Sequence, residues 1–192
     1  ERAVTRYRRL LAVLELEPSL ADAVVDWLDA DREVTLPAGA EDLEYLGRTP
    51  AHRSAGGPVT STSELRLVAG FDAEAVARLA PFVTALPEAT AVNVNTAPPE
   101  VLRALFPRVS VADAVALVEA RGADGWDSVE AFLRHEVFAG REVATDGLAV
   151  SSAFFRVAAS VRLGRVEQRF YALLRRADDG ETETIMRTRG TT

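Results

Sequence analysis

Two repeat lengths divide this chain. Up to about residue 135 the apolar positions recur every three or four residues, and beyond Gly147 they recur every second residue. The first spacing puts one side of a helix against a core, and the second does the same for a strand. Val4, Tyr7, Leu11 and Leu14 form the first stripe, and Pro18 ends the helix that carries it. Ser19 is placed to cap a second helix running to about Leu28, with Leu20, Val24 and Leu28 on one side. Residues 47–62, rich in Gly, Pro, Ser and Thr, read as irregular structure. Shorter helices are predicted near residues 63–69, 73–86, 98–106, 110–121 and 128–135.

In the last third, Phe155, Val157, Ala159, Val161 and Leu163 alternate with Arg156, Ser160 and Arg162. Gly164-Arg165 is a two-residue turn with glycine first, which suits type II′ and returns the chain along 166–174. Asp179-Gly180 signals a second hairpin leading to 182–187. A long helix first, a block of short helices inserted after it and an antiparallel meander last define an α+β chain.

Charge changes this picture at one place. Asp26, Asp29, Asp31, Glu33, Glu41, Asp42 and Glu44 face only Arg32 within a single stretch, so most of the chain's net charge of −7 sits there. Carboxylates crowded into one loop repel each other unless a cation lies among them. The spacing Asp29-x-Asp31-x-Glu33, the break at Pro37 and Gly39, then Glu41-Asp42-x-Glu44 suits an irregular loop folded around a hard cation. Calcium, which takes six to eight oxygens in flexible geometry, is the natural candidate. A solvated acidic loop is the competing reading.

With 192 residues, 48 % of them hydrophobic, the chain can bury a real core as one large domain or two small ones. No apolar run approaches the length of a membrane span. The absence of cysteine removes disulfides and thiolate metal sites. Arg2, Arg6, Arg8 and Arg9 crowd the opening turns of the first helix, where the helix dipole disfavours cations and no capping residue precedes them. The chain opens on Glu1 and its only methionine is Met186, so it reads as a processed or truncated piece whose first helix continues one upstream.

The segment VNVNTAPPEVLRAL followed by SVADAVALVEARGADGWDSVEAFL has the layout of a helix-hairpin-helix unit, with Asn95 or Thr96 as cap and Pro98-Pro99 opening the helix. A fainter copy begins at Ser63. Such units often hold nucleic-acid phosphates on hairpin amides. Here the second hairpin, Phe106-Pro107-Arg108-Val109, lacks glycine, and the first, Gly70-Phe71-Asp72, puts a carboxylate where a phosphate would sit. With an isoelectric point of about 5.0, nucleic-acid binding is the weaker alternative to a helical scaffold. No Walker loop, GxGxxG, GxSxG or HExxH pattern occurs, and His52 and His135 have no motif context, so an enzyme is not expected.

Three segments, VVDWLDADREV, GAEDLEYLGRTPAHRSAGGPVTSTSELRLVAGF and ALPEATAVNVNTAPPEVLRAL, together resemble the type II secretion system protein K family of minor pseudopilins, over nearly the whole chain. The resemblance implies a pilin-like long N-terminal helix packed on an antiparallel sheet, with a large inserted all-α domain of helix-hairpin-helix or SAM-like type. The pilin-like parts would be residues 1–55 and 148–192, and the insert residues 56–147. It implies calcium in the acidic segment, with Asp29, Asp31, Glu41 and Asp42 as ligands and Asp26, Glu33 and Glu44 as alternates. It also implies the tip subunit of a short pseudopilus, partnered by minor pseudopilins I and J, that drives export of folded proteins across the outer membrane and could touch the secreted substrates. Such a protein loses a leader to a prepilin peptidase and crosses the inner membrane once, with this part in the periplasm. The stripe of the first helix would then pack on partner helices, on its own sheet, or on both.

Overall fold

The computed structural model describes residues 1–177 and 179–189, so position 178 and the end of the expected meander, 190–192, lie outside the described residues. Among the described residues there are seven α-helices: α1 (Arg2–Val13), α2 (Leu20–Leu28), α3 (Asp42–Leu46), α4 (Ala73–Leu79), α5 (Pro99–Leu105), α6 (Val111–Ala120) and α7 (Val129–Leu133). Tight 3₁₀ turns at Thr62–Arg66, Ala80–Phe82 and Glu136–Phe138 join them. The run expected to be helical over 73–86 stops at Leu79, because Pro81 offers no amide to continue the ladder and the chain tightens around it. Caps follow the sequence at three starts, where Asp72, Ser110 and Ser128 accept bonds from the amides of Ala75, Asp113 and Ala131. Ser19 holds the cap position of α2 without making a side-chain cap bond. At α5 the cap expected from Asn95 or Thr96 is absent; Pro98 takes the cap position, and Asn95 is used elsewhere.

The helices enclose two cores. The first gathers Leu11 of α1, Trp27 of α2, Tyr45, Val68 and Leu79 into one buried cluster with members on both sides of residue 55. The second gathers Val94, Leu102, Leu117, Phe132 and Phe138, and Val101 packs against both. A short parallel pair, β1 (Val92–Asn93) with β2 (Leu148–Ala149), closes the second core. No helix among the described residues is long and apolar enough to cross a membrane.

The remaining strands, β3 (Phe154–Leu163), β4 (Val166–Arg176) and β5 (Thr182–Arg189), form an antiparallel sheet in the order β3-β4-β5. Leu163 pairs with Val166 across the expected two-residue turn. Gly164 has φ +62° while Arg165 stays in the negative region, as type II′ requires. Arg156, Tyr171, Leu173 and Met186, on one face of the sheet, border a cleft whose other wall includes residues 60–63 and 83–85 of the helical body. The other face is open: Phe155, Val157 and Leu163 are 42 %, 45 % and 82 % exposed.

The expectation that the first helix lies on this sheet is corrected for α1, which packs chiefly on α5 and α2. An amphipathic stripe states that a helix has a buried side but not what buries it. Here Leu10, Leu11 and Leu14 find their partners in the first helical core.

Candidate metal centre

The acidic stretch is built on the C-terminal half of α2. Asp22 and Asp26 stand one helical turn apart, and both are fully buried. Asp22 is paired with Arg8 of α1 and accepts the Ala38 amide at 3.3 Å. Asp26 accepts the Thr35 amide with both oxygens, at 3.1 and 3.2 Å. These bonds fold the 30–41 loop back over the helix. Gly39 lies so close that a Cβ there would come within 2.2 Å of Asp26 Oδ2 and 2.4 Å of the Thr35 carbonyl, so only glycine fits.

The loop returns three carboxylates to one point. Oxygens of Asp29, Asp31 and Glu41 lie within 4.8 Å of one another. Glu41 is 7 % exposed and Asp29 is half-buried, while Asp31 closes the group from the solvent side. Asp29 Oδ1 and Glu41 Oε1 are buried without any hydrogen-bond partner. The other oxygen of Glu41 accepts the Ser54 hydroxyl at 3.4 Å, and Asp31 Oδ1 accepts the Glu33 amide at 2.8 Å. Burial pushes the Asp29 carboxyl above its ordinary range, reinforced by Asp31 and Asp26. Burial and then Asp26 and Asp29 do the same to Glu41, against the bonds from the Asp42 amide and Ser54. The C-terminal end of α2, where Asp29 is the capping residue, adds the negative end of the helix dipole.

Uncompensated buried carboxylate oxygens are costly, and a divalent cation reverses that cost by pairing with the charged form. The donors are all oxygen and include no imidazole or thiolate, which suits a hard ion such as calcium. The residues present therefore fit a calcium site.

Asp42, expected as the fourth ligand, is not brought into this group. Its Oδ1 accepts the Ser54 amide at 3.2 Å and its Oδ2 pairs with Arg53 at 3.2 Å. Among the alternates, Asp26 is the buried floor of the loop, Glu44 is paired with Arg48 at 3.1 Å on the surface, and Glu33 is exposed and contributes its amide to Asp31. Asp22 lies outside the acidic stretch as read from the sequence. Its four-residue spacing from Asp26 on a helix was the signal that could have found it. Beneath the loop, Trp27 and Tyr45 meet edge to face at 5.1 Å, and His52 packs against both rings.

The NVNT segment acts as a tie. Asn95 donates to the carbonyls of Trp126 and Val150, both at 3.0 Å, and accepts the Trp126 amide at 2.7 Å. Asn93 reaches Ser152 at 3.0 Å, which joins the second core to the start of β3. Gly125 leaves room for Asn95, since a Cβ there would meet its side chain at 2.9 Å.

These features define an α+β module: two fused helical cores, an open antiparallel sheet and a buried carboxylate cluster suited to a structural ion. Profiles of type II secretion system protein K match residues 1–88 and 92–151. The chain is 38 % identical to type II secretion system protein K of Pseudomonas aeruginosa over 98 % of its own length and 57 % of that protein's. It is 38 % identical to the Klebsiella pneumoniae protein over 95 % of the chain, and 33 % to the Aeromonas hydrophila protein over 97 %, spanning 59 % and 60 % of those relatives. Among solved structures it superposes with a TM-score of 0.87 and 29 % identity on a chain of the GspK–GspI–GspJ complex from enterotoxigenic Escherichia coli, covering 99 % of this chain and 70 % of that one. The chain belongs to the type II secretion system protein K family. That family is a component of a secretion machine. The nucleic-acid reading finds no support in these comparisons, and at the first hairpin the Ala75 amide is taken by Asp72 at 2.7 Å.

Proposed function

We propose that this chain is the head of a minor pseudopilin that assembles with two others, the counterparts of GspI and GspJ, at the tip of a pseudopilus. The carrying observation is the superposition over nearly the whole chain on a member of a three-protein complex. In this reading β3–β5 are the pilin-like part and the two helical cores are the insert. The chain spans 57 % to 60 % of the length of the three relatives named above, which leaves room in such proteins for a further helix. That helix would cover the open apolar face of the sheet and continue into a single inner-membrane anchor, leaving this part in the periplasm. A bulky insert above the sheet blocks addition of another copy, so the subunit caps the filament and its growth pushes folded proteins outward.

Calcium held by Asp29, Asp31 and Glu41, with carbonyl or water oxygens completing its shell, would clamp the 29–41 loop. Asp42 would act from beside it through Ser54, which also bonds Glu41. The support is the pair of partnerless buried oxygens on Asp29 and Glu41. Mixing the chain with the two other minor pseudopilins and separating the products by size, with calcium and with EDTA, tests both parts. The expected result is one three-protein peak that weakens in EDTA. Three separate peaks in both media would overturn the assembly reading, and an unchanged peak and melting temperature in EDTA would overturn the calcium reading.

A further inference from the structure

The basic opening of α1, which works against its own helix dipole, lines a cleft of 680 Å³ between α1, the 105–109 turn and the 138–144 loop. Five arginines surround it: Arg2, Arg6, Arg9, Arg108 and Arg141. Glu142 is the acid in the lining. Of the five, only Arg2 is in an ion pair among the described residues, with Asp146. Arg6 is held by a backbone carbonyl, that of Asp146 at 2.7 Å, and Arg141 by that of Arg108 at 2.8 Å. A carbonyl positions a guanidinium without neutralising it, so these side chains are fixed and still fully charged. Arg9 and Arg108 have no ion pair at all among the described residues. Burial lowers the Arg6 pKa, and Arg2 and Arg9 add to this against the opposing pull of Asp146, as expected of cations crowded without enough acid. The floor is apolar: Leu105, Phe106, Val109 and Phe138 are the outer surface of the second core.

We propose that this cleft binds an acidic peptide segment of a partner protein, its carboxylates on the arginine rim and an apolar side chain on the floor. The size suits several residues and exceeds what a free oxyanion would fill. A phosphate would also gain nothing from the apolar floor. A nucleic acid long enough to leave the cleft would meet a chain of net charge −7. No strand residue lines the cleft, so it is separate from the open face of the sheet.

The test is fluorescence anisotropy with a fluorescein-labelled glutamate-rich peptide carrying one phenylalanine, added to the full chain. Saturable binding is expected. Arg9→Glu with Arg108→Glu should weaken it about a hundredfold, two charge-assisted contacts at about tenfold each. Arg162→Glu with Arg165→Glu, the same charge change at the β3–β4 hairpin, should change it by less than about twofold, because neither arginine lines the cleft and exposed charges outside it are screened. Circular dichroism melting of both double variants confirms that each is folded. Absence of saturable binding, equal loss in the two double variants, or displacement of the peptide by pyrophosphate or a short DNA oligonucleotide at lower concentration than by unlabelled peptide would overturn the proposal.

Discussion

Replacing Glu41 by Gln should raise stability without calcium and remove most of the stabilisation that calcium gives. Glu41 is buried at 7 % exposure, and one of its oxygens lies within 4.8 Å of oxygens on Asp29 and Asp31. Two like charges at that separation repel by about 3 kcal/mol at an effective dielectric of about 20, and partial protonation relieves some of it. Without metal, Gln removes this repulsion, and its amide can donate to the partnerless Asp29 Oδ1. The variant should therefore be about 1–3 kcal/mol more stable than the parent in EDTA. With calcium the cage loses one of its three carboxylates, and the linkage stabilisation of about 2.7 kcal/mol at a hundredfold excess over Kd largely disappears. For a chain of this size each kcal/mol moves the melting temperature by about 2–4 °C. In EDTA the variant should thus melt roughly 3–10 °C above the parent; saturating calcium should raise the parent by roughly 5–10 °C and the variant hardly at all, so that most or all of that lead is lost, read by circular dichroism. A variant destabilised equally in both media would refute the reasoning, because it would mean that Glu41 acts through its Ser54 bond and not through a cation.

Three further outcomes follow from particular contacts. Gly39→Ala forces its new methyl against Asp26 and the Thr35 backbone, so it should cost about 2–4 kcal/mol and weaken calcium binding, measured by melting and by calcium titration. Asn95→Ala removes three bonds that join 95, 126 and 150, at a cost of about 2–4 kcal/mol, and Asn95→Asp should be worse because it turns an acceptor toward two carbonyls; denaturant unfolding would rank them. Burial tends to raise the Glu64 carboxyl, but the Thr60 amide and hydroxyl and the Ser61 amide together hold it below the ordinary value. A lowered folded-state value contributes stability above the unfolded carboxylate range and loses it as pH falls through the folded value, so Glu64→Gln should lower the melting temperature at neutral pH and converge with the parent in acid.

How much of this was legible varied with how local the cause is. The β3–β4 hairpin could be read because strand period and turn chemistry are both set by adjacent residues, and Gly164 takes the positive φ that its turn needs. Caps at Asp72, Ser110 and Ser128 were equally local. The early stop of α4 is also written in Pro81, although the apolar spacing continues beyond it. In the acidic stretch the density of carboxylates was plain, but their division was not. Asp29, Asp31 and Glu41 converge, whereas Arg53 and Ser54, more than ten positions along the chain, draw Asp42 aside.

The residue pattern by itself determined most of the helices, the meander, the place where negative charge accumulates and, through its motifs, the family. These depend on contacts between near neighbours in the chain, or on residue types alone. Only the tertiary structure decided that α1 is buried by α2 and α5 and not by the sheet, that Asp22 and Asp26 anchor the loop, and that Asn95 ties three segments together instead of capping a helix. Each of those outcomes is a choice among partners distant in sequence. An apolar stripe or a carboxylate states what it must contact, and packing settles which segment supplies the contact.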